Sequence, residues 1–308
     1  MKTRYGGRMR WAIAVALLLS RIASAQNSEP PPAPLWADPA NWKSIPKPAE
    51  FKDLVYWNAS GKDLHLDVYK NADARTPAPV LVYFHGGAWW KGEKPASWGG
   101  FRAWLAAGFS VVTVEYRMTD VATAPAAVQD VRCSLAWVKA NAAKYNFDPN
   151  RVVAYGTSAG GHLALMAGML PADNDIDLPA CRDQPRVVAI LDFYGIYHLD
   201  PALPGAYKSP STARWIGPVA DVTAMEHKMS PAAYVRKGQP PVFIAHGDAD
   251  PTVPYIASVT LKADLDRAHV FNLMVTVPGG GHGGWTQEDN TRVQLASLNF
   301  LQMAGVIG

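Results

Sequence analysis

The sequence has few of the residues that usually mark metal, redox and nucleic-acid sites. Its 308 residues include only two cysteines, and charged residues make up 18% of the chain. It contains no His-Glu-x-x-His motif and no paired Cys-x-x-Cys motif, so we expect neither a metal nor another cofactor. It also has no basic run of the kind that binds nucleic acid, so we expect no nucleic-acid partner.

A long apolar run is missing as well. The N-terminal run Trp11–Leu19 is too short to span a bilayer, which takes about 20 residues. Basic residues precede this run and Ala23-Ser-Ala25 follows it, a pattern typical of a signal peptide cleaved after Ala25. An uncleaved membrane anchor is the alternative. We predict that residues 1–25 are a signal peptide and that the protein is periplasmic or extracellular, with no stable membrane anchor.

Export would change both the charge and the chemistry of the cysteines. Residues 1–25 carry five basic side chains and no acidic ones, so their removal would change the formal charge from +3 to −2. Cys133 and Cys181 would then meet an oxidising compartment. Whether they form a disulfide stays open, because Cys133 and Trp137 fall on the helix face opposite the apolar stripe.

The residues that are abundant fit one folded domain. Hydrophobic residues make up 49% of the chain, enough for one substantial core. Residues 26–50 are rich in proline and are predicted to form an extended lead segment. The folded domain is predicted to span residues 51–308.

Strand and helix patterns alternate along this domain, which predicts a mostly parallel sheet with right-handed crossovers. An antiparallel pairing of the first strands is the alternative at that edge. The predicted strands are Leu54–Trp57, Leu64–Tyr69, Val80–Phe84, Ser110–Glu115, Arg151–Tyr155, Val187–Phe193, Val242–Ala245 and Val270–Val277. The predicted helices are Gly100–Ala107, Ala127–Tyr145, Ala159–Met169, Ile256–Ala268 and Thr286–Ala304.

One motif has the form of a nucleophile elbow. Gly156-x-Ser158-x-Gly160 joins the predicted strand Arg151–Tyr155 to the helix Ala159–Met169. Such a turn exposes the serine hydroxyl at a helix N-terminus, whose dipole favours developing negative charge. The five-residue motif arises by chance in roughly one chain in ten of this length, so the flanking strand and helix carry the inference.

A glycine-rich turn upstream supplies the donors that an acyl-transfer reaction needs. His85-Gly-Gly-Ala-Trp89 follows the strand Val80–Phe84. Amides at Gly87 and Ala88 are predicted to join the Ala159 amide in an oxyanion hole. An ordinary glycine-rich turn is the alternative for this motif taken alone.

Two downstream segments each place a triad residue type after a strand. His246-Gly-Asp-Ala-Asp250 follows Val242–Ala245, and His282 lies within the glycine-rich segment Gly279–Gly284 after Val270–Val277. Open α/β sheets assemble their sites at such strand ends. The order Ser158, Asp250, His282 is the one expected of an α/β-hydrolase and not of the other Ser-His-Asp folds.

Several shorter motifs accompany these pieces: Asp67-Val-Tyr69, Glu115-Tyr-Arg117, Pro125-Ala-Ala, Asp130-Val, Gly161-His162 and Val253-Pro254. Together they make the chain, from roughly Tyr56 to its C terminus, resemble the α/β-hydrolase carboxylesterases. Within these it resembles the acetyl esterase/lipase-like group that includes bacterial feruloyl and acetylxylan esterases. The resemblance implies an α/β-hydrolase fold: a mostly parallel, eight-stranded sheet flanked by helices, with at most a small lid. Ala88 replaces the third glycine of hormone-sensitive-lipase relatives and no helical cap sequence precedes it, so a long-chain lipase is not expected.

The residue types imply roles. His282 would take the proton of Ser158 during attack, while Asp250 holds the imidazole tautomer. Asp248 is the reserve candidate for the acid, because it lies two residues from Asp250.

Other polar residues are given structural interpretations. His162 is predicted to pack, His85 to brace the oxyanion loop, and Arg117 to enter a buried hydrogen-bond network. His198 and His227 are predicted to lie on the surface.

Substrate-binding residues are harder to find. The long connection from about Tyr197 to Lys237 either forms a small lid or is a structural excursion. Trp89, Trp90 and Trp285 lie beside the motif loops and are candidates to line an aromatic or sugar-binding pocket. Packing of the loops is the equal alternative, since tryptophan is usually largely buried.

We therefore expect a serine carboxylesterase acting on short-chain or aromatic acyl esters, with a small-molecule or polysaccharide-linked substrate. Acetyl or feruloyl groups on plant polysaccharide follow only from the family analogy. An amidase, formamidase or peptidase with the same triad is the alternative. A binding protein on this scaffold is a third hypothesis, and the oligomeric state stays open.

Overall fold

Alternating strands and helices build a single sheet. The computed structural model describes residues 33–199 and 207–308, and Leu35–Gly308 form one compact unit. The strands are β1 Ala49–Ala59, β2 Lys62–Lys70, β3 Ala78–Phe84, β4 Ser110–Val114, β5 Phe147–Thr157, β6 Val187–Phe193, β7 Val242–Gly247 and β8 Asn272–Val277. They lie in the order β1-β2-β4-β3-β5-β6-β7-β8 in one eight-stranded sheet.

The direction of the strands follows the prediction. β2 pairs antiparallel with both β1 and β4. Every other neighbouring pair is parallel. The predicted eight-stranded, mostly parallel sheet with an antiparallel start is therefore confirmed. The carboxyl ends of the parallel strands share one edge, which is where the motif loops emerge.

Helices cover both faces of the sheet. They are α1 Arg102–Ala106, α2 Ala126–Ala140, α3 Ala142–Tyr145, α4 Ala159–Met169, α5 Pro210–Ile216, α6 Val222–Lys228, α7 Ile256–Arg267 and α8 Gln287–Met303. The long helix predicted over Ala127–Tyr145 is two helices, because Asn141 leaves helical geometry and donates its side-chain amide to the Trp137 carbonyl at 3.0 Å.

Each face of the sheet buries its own apolar cluster. Along β3, Val80, Val82 and Phe84 enter the cluster under α2, α4 and α7, whereas Leu81 enters the cluster under α1 and α8. This alternation follows from the two-residue period of a strand. A strand buried on both faces is expected in a parallel sheet covered by helices on either side.

The folded unit begins earlier than the sequence indicates. Leu35–Ala37 and Pro39–Lys43 form 3₁₀ helices instead of an extended lead segment. Trp36 and Trp42 are buried in the cluster that also contains Trp104 of α1, and the Trp42 indole donates to the Trp36 carbonyl at 3.0 Å. The prediction of an extended segment up to residue 50 is thus wrong for residues 35–43, because burial of two indoles outweighs the proline content. The predicted signal peptide, residues 1–25, lies outside the described residues.

The two cysteines settle a point that the sequence leaves open. Cys133 on α2 and Cys181 in the 3₁₀ helix Pro179–Cys181 form a disulfide, with their Cα atoms 4.8 Å apart. Both residues are buried. The disulfide therefore ties α2 to the segment that ends at Cys181.

The long connection after β6 contains the short helices α5 and α6 and a 3₁₀ helix, Pro231–Tyr234. Trp215 of α5 is fully buried and stacks on Trp89, with ring centroids 4.4 Å apart. The connection therefore packs on the loop after β3. His198, predicted to lie on the surface, is buried, whereas His227 is exposed as predicted.

None of the helices among residues 33–199 and 207–308 combines the length and apolar character needed to cross a membrane.

Candidate active site

Ser158 stands at a sharp turn between β5 and α4. Its backbone has φ 56° and ψ −122°, a conformation that is costly for a residue with a side chain. Its amide donates to the Phe193 carbonyl at 2.9 Å, which ties the turn to the end of β6. The strained backbone and the position before a helix N-terminus are those of a nucleophile elbow.

The glycines of the motif are required by close backbone approach. A Cβ on Gly156 would lie 2.0 Å from the Gly160 carbonyl oxygen, and one on Gly160 would lie 2.0 Å from the Phe84 carbonyl oxygen. Both distances are far below contact distance, so neither position accepts a side chain without movement of the backbone. The turn is therefore pressed against the end of β3.

The three residues predicted as a triad lie in one hydrogen-bonded chain. His282 Nε2 is 2.8 Å from Ser158 Oγ, and His282 Nδ1 is 2.7 Å from Asp250 Oδ2. Because the carboxylate only accepts, Nδ1 carries the proton, and Nε2 is left to accept from the serine hydroxyl. This is the protonation pattern that a general base needs before it takes the serine proton.

Asp250 is held as a carboxylate by hydrogen bonds. Its side chain is fully buried, and burial by itself would raise its pKa. Hydrogen bonds from His246, His282 and the amides of Thr252 and Val253 outweigh that cost and hold the pKa of Asp250 well below its ordinary value. The two amides lie 2.7 and 3.0 Å from Oδ1.

Asp248, the reserve candidate for the acid, has another task. Its Oδ1 accepts from the Gly279 amide at 2.6 Å, at the start of the loop that carries His282. Asp248 is exposed, and its carboxylate bonds this backbone amide and not the imidazole. It therefore braces the histidine loop, while Asp250 contacts the histidine.

The loop after β3 reaches the nucleophile through its glycines. A Cβ on Gly86 would lie 3.3 Å from Ser158 Cβ, so the backbone of this loop passes directly beside the serine. Gly87, Ala88 and Trp89 have φ values of 124°, 53° and 60°. Within the described part of the chain, no hydrogen bond occupies the amides of Gly87, Ala88 or Ala159. These amides are the predicted oxyanion-hole donors.

His85 braces this loop, as the sequence predicts. Its Nδ1 donates to the Gly86 carbonyl at 2.7 Å, and its ring stacks on Tyr116 with centroids 4.5 Å apart. Tyr116 in turn donates its hydroxyl to the His85 carbonyl at 2.9 Å. Burial lowers the pKa of His85, which keeps the ring neutral and suited to this structural role.

Of the tryptophans predicted to line a pocket, Trp89 and Trp285 are buried. Trp89 is fully buried between the loop and Trp215, and Trp285 donates its indole N–H to the Gly281 carbonyl at 3.0 Å. These two large apolar rings pack behind the loops, which is the alternative that the sequence left open for them. Trp90 is 40% exposed and is flanked by the cations of Lys91 and Arg214 at 5.0 and 5.2 Å. It remains the candidate that a substrate can reach.

Two other interpretations agree with the structure. His162 is fully buried with its ring edge-on to both Trp89 and Trp215, and it donates Nε2 to the Met229 carbonyl at 2.7 Å. Burial lowers the pKa of His162 to about 4, so the ring is neutral. Arg117 makes a bidentate pair with the buried Asp130 carboxylate.

Sequence reasoning did not single out three residues near the triad. His246 contacts Asp250, and Tyr194 packs edge-on against His282 with ring centroids 4.9 Å apart. Asp192 is a fully buried acid at the end of β6. Their signals were a histidine or an acid inside an apolar strand, and a tyrosine directly after one.

Within residues 33–199 and 207–308, no group of three or more His, Cys, Asp or Glu side chains is placed to hold a metal ion.

The chain is similar to known esterases in sequence. A profile of the family described as BD-FAE matches residues 66–265. Esterase LipQ of Mycobacterium tuberculosis is 29% identical over 282 residues, which cover 87% of this chain and 66% of that esterase. The chain therefore spans just under two thirds of the length of this curated relative.

Solved structures agree in fold. The apo form of Thermogutta terrifontis esterase 2 has a TM-score of 0.71 at 26% identity, covering 86% of this chain and 97% of that chain. Structures of that esterase also exist with butyrate or propionate bound and phosphonylated by sarin. A truncated carbohydrate esterase from gut microbiota has a TM-score of 0.66 at 26% identity, covering 84% and 95% of the two chains. The fold predicted from the sequence is thus confirmed.

Proposed function

The chain belongs to the BD-FAE family of α/β-hydrolase esterases, and we propose that it is a serine carboxylesterase acting through Ser158, His282 and Asp250. The observation that carries the proposal is the continuous hydrogen-bonded chain from Ser158 Oγ through the imidazole to Asp250 Oδ2. The strained backbone of Ser158 adds to it, because strain of this kind is kept where function needs it.

In the first half of the reaction, Ser158 Oγ attacks the ester carbonyl carbon while its proton passes to His282 Nε2. The carbonyl electron pair moves to the oxygen and gives a tetrahedral oxyanion. When this intermediate collapses, the bond to the leaving oxygen breaks and His282 gives the proton to it. An alcohol leaves, and the acyl group stays on Ser158.

In the second half, water attacks the acyl carbon and His282 takes one of its protons. The collapse of the second tetrahedral intermediate returns this proton to Ser158 Oγ and releases the carboxylic acid. Asp250 stays ionised throughout and stabilises the imidazolium that forms in each half.

The amides of Gly87, Ala88 and Ala159 are the proposed oxyanion-hole donors. Preorganised donors of this type stabilise charge that develops in the transition state, and the loss of one typically costs about 10²–10³ in kcat. The approach of Gly86 to Ser158 supports this role, because it puts the loop backbone beside the reacting atom.

We propose short-chain or aromatic acyl esters as the substrates, with acetyl or feruloyl groups on polysaccharide as the natural form. Support comes from similar solved structures, since one esterase binds butyrate and propionate and another similar protein is a carbohydrate esterase. The exposed ring of Trp90, on the same loop as the proposed oxyanion donors, is a surface on which an aromatic or sugar ring can pack. Export by the N-terminal signal would bring the enzyme to such a substrate.

The test is a matched panel of substrates. We would measure turnover of p-nitrophenyl acetate, longer p-nitrophenyl esters, methyl ferulate, acetylated xylan and an aryl amide by the wild type and by Ser158→Ala. The substitution should lower ester turnover by on the order of 10⁵-fold or more, because it removes the nucleophile. Ser134→Ala is the control, since that serine is buried in α2 and donates to the Val131 carbonyl of its own helix.

The panel also separates the alternatives. Turnover of the aryl amide in preference to every ester would replace the esterase by an amidase. A loss of less than about tenfold in Ser158→Ala would reject the nucleophile, since a nucleophile is not replaced by water at such a small cost. No turnover by a folded wild type, together with no labelling by an organophosphorus probe, would favour a binding protein.

A further inference from the structure

His246 is a buried histidine with no step in the mechanism above. It lies near the end of β7, and its side chain is fully buried. Its Nε2 is 3.2 Å from Asp250 Oδ2, the same oxygen that lies 2.7 Å from His282 Nδ1. Two histidines therefore share one carboxylate oxygen, and only His282 contacts the serine.

The partners of His246 determine where its proton lies. Nε2 is also 3.1 Å from the Val253 carbonyl oxygen, which can only accept. Nε2 therefore carries a hydrogen, shared between that carbonyl and Asp250. The other nitrogen, Nδ1, is 2.7 Å from the hydroxyl of Ser258, which is buried on α7. In the neutral ring Nδ1 accepts, so the Ser258 hydroxyl donates to it and holds that side of the ring.

The resulting chain runs from Ser258 through His246 to Asp250, and from Asp250 through His282 to Ser158. Two serine–histidine pairs thus converge on one aspartate. In the first pair the imidazole is locked by α7, whereas in the second it is 22% exposed in the site. The first pair is built to stay in place, and the second to exchange protons.

In the part of the chain that the structure describes, two tyrosines are the other titratable groups whose rings pack on this chain. The ring of Tyr255 packs edge-on against His246 at 5.7 Å, and its hydroxyl pairs with that of Thr276 at 2.6 Å. The ring of Tyr194 lies 6.5 Å from His246, and burial raises its pKa, so it stays neutral. Among the described residues, the only ion-pair partners of Asp250 are His246 and His282. The two histidines share this carboxylate with the amides of Thr252 and Val253, which bond its other oxygen.

We propose that His246, held by Ser258, is a positioning residue that fixes the orientation of Asp250 and moderates how strongly Asp250 holds the protonated form of His282. The inference rests on the proposed esterase function. A second donor on Oδ2 stops the carboxylate from rotating away from His282. The same donor takes up part of the negative charge that would otherwise act on His282 alone.

The direction of the expected change in the pH profile follows from the charge of Asp250. Without the His246 N–H, the charge of Asp250 acts more strongly on His282 and favours its protonated form. The acid limb of the kcat/KM profile reports protonation of the free enzyme's base, so it moves to higher pH. The greater rotational freedom of the carboxylate lowers kcat. KM changes little, because His246 is fully buried and contacts Asp250, Val253 and Ser258 but not Ser158.

The experiment compares three variants with the wild type on p-nitrophenyl acetate between pH 5 and 9. His246→Leu keeps the bulk and removes the donor; we expect kcat to fall by about 10–100-fold, and the acid limb to move up by about half a pH unit or more. His246→Gln can still donate to Asp250 and should restore kcat to within about fivefold and the limb to its wild-type position. Ser258→Ala removes the hydrogen bond that holds the Nδ1 side of the His246 ring, so the ring is less firmly placed and we expect an intermediate effect in the same direction.

His162→Leu is the matched control. It also removes a buried histidine that donates to a backbone carbonyl, but His162 does not contact Asp250. We expect a loss of thermal stability and no movement of the acid limb. Each variant is checked for folding by circular dichroism, so that the kinetic comparison uses native protein.

Two results would overturn the inference. The first is a pH profile of folded His246→Leu or Ser258→Ala that superimposes on that of the wild type, with kcat within about twofold. The second is an equal loss of kcat in His246→Leu and His246→Gln with no movement of the acid limb, which would make His246 a packing residue. Absence of turnover in the wild type would instead reject the esterase function itself, so the two failures are distinguishable.

Discussion

Two buried aspartates at the same edge of the sheet meet opposite electrostatic surroundings. Asp250 follows β7 and accepts hydrogen bonds from two histidines and two backbone amides, which lower its pKa despite burial. Asp192 lies at the end of β6 between the backbones of Gly161 and Gly195. Burial raises the pKa of Asp192 to about 7, and the nearby Gly195 amide offsets only part of the cost.

The contrast shows that burial does not decide the charge of a carboxyl; the donors around it do. No hydrogen bond of good geometry reaches either carboxyl oxygen of Asp192 from the described residues. A carboxyl in that position is only partly ionised at neutral pH, whereas Asp250 keeps the charge that the imidazolium needs. Asp192 lies on the strand whose end also receives the Ser158 amide, so the two states occur within one site.

Of Asp250, Asp192 and Asp248, removing the charge of Asp250 should lower kcat most. In Asp250→Asn, the side chain keeps its size but no longer holds His282 in the tautomer that accepts from Ser158. We expect kcat for p-nitrophenyl acetate to fall by about 10⁴-fold with the fold retained. The measurement is steady-state kinetics with circular dichroism as the control for folding. A fall of less than about tenfold would mean that Asp250 is not the acid of the triad.

The same substitution at Asp192 should act on stability and not on catalysis. An aspartate whose pKa is raised on folding stabilises the native state fully below its ordinary pKa of 3.8 and loses that contribution as the pH rises to about 7. For a shift of this size the loss is on the order of 4 kcal/mol. Asp192→Asn cannot ionise, so it should be more stable than the wild type at pH 8 and similar to it near pH 4.

Urea unfolding of both proteins from pH 4 to 9 measures this difference, because the other titrating groups are common to the two proteins and cancel. Turnover by Asp192→Asn should stay within a few-fold of that of the wild type, since the side chain touches glycine backbone and not the triad. A stability difference that does not change with pH would show that Asp192 is ionised in the native state.

Asp248 should give the smallest effect and sharpen the assignment of the acid. Asp248→Ala removes one carboxylate hydrogen bond to the Gly279 amide in an exposed position. We expect kcat to fall by less than about tenfold and the free energy of unfolding by about 1 kcal/mol, because the histidine loop loses one of its braces. The two kinetic results belong together. A loss as large as that of Asp250→Asn would reverse the roles of the two acids.

Much of the fold could be predicted because its signals are local. The strand Val187–Phe193 and the helix Ala159–Met169 have the bounds that the sequence predicts. The elbow is local as well, since Gly156 and Gly160 flank Ser158 within five residues. Chain order then placed Asp250 and His282 after their strands, and a parallel sheet brings such ends to one edge.

The features that the sequence left open, missed or predicted wrongly concern side chains whose surroundings come from distant parts of the chain. Trp89 is buried by Trp215, which lies far along the chain on α5. Trp36 and Trp42 fold the lead segment because α1 offers an apolar surface. His246 is oriented towards Asp250 by the Ser258 hydroxyl and the Val253 carbonyl, which the sequence does not place beside it. Neither period nor motif spacing carries this information.

The sequence by itself determined the eight strands and most of the helices that cover them, the elbow at Ser158 and the candidates for the acid and the base, because each depends on residues close together along the chain. The tertiary structure alone decided which tryptophans are buried, that Cys133 meets Cys181, and which of the acids at the sheet edge is charged. The reason is that burial and hydrogen bonding depend on what packs around a side chain, and packing is set by contacts between segments that are far apart in sequence.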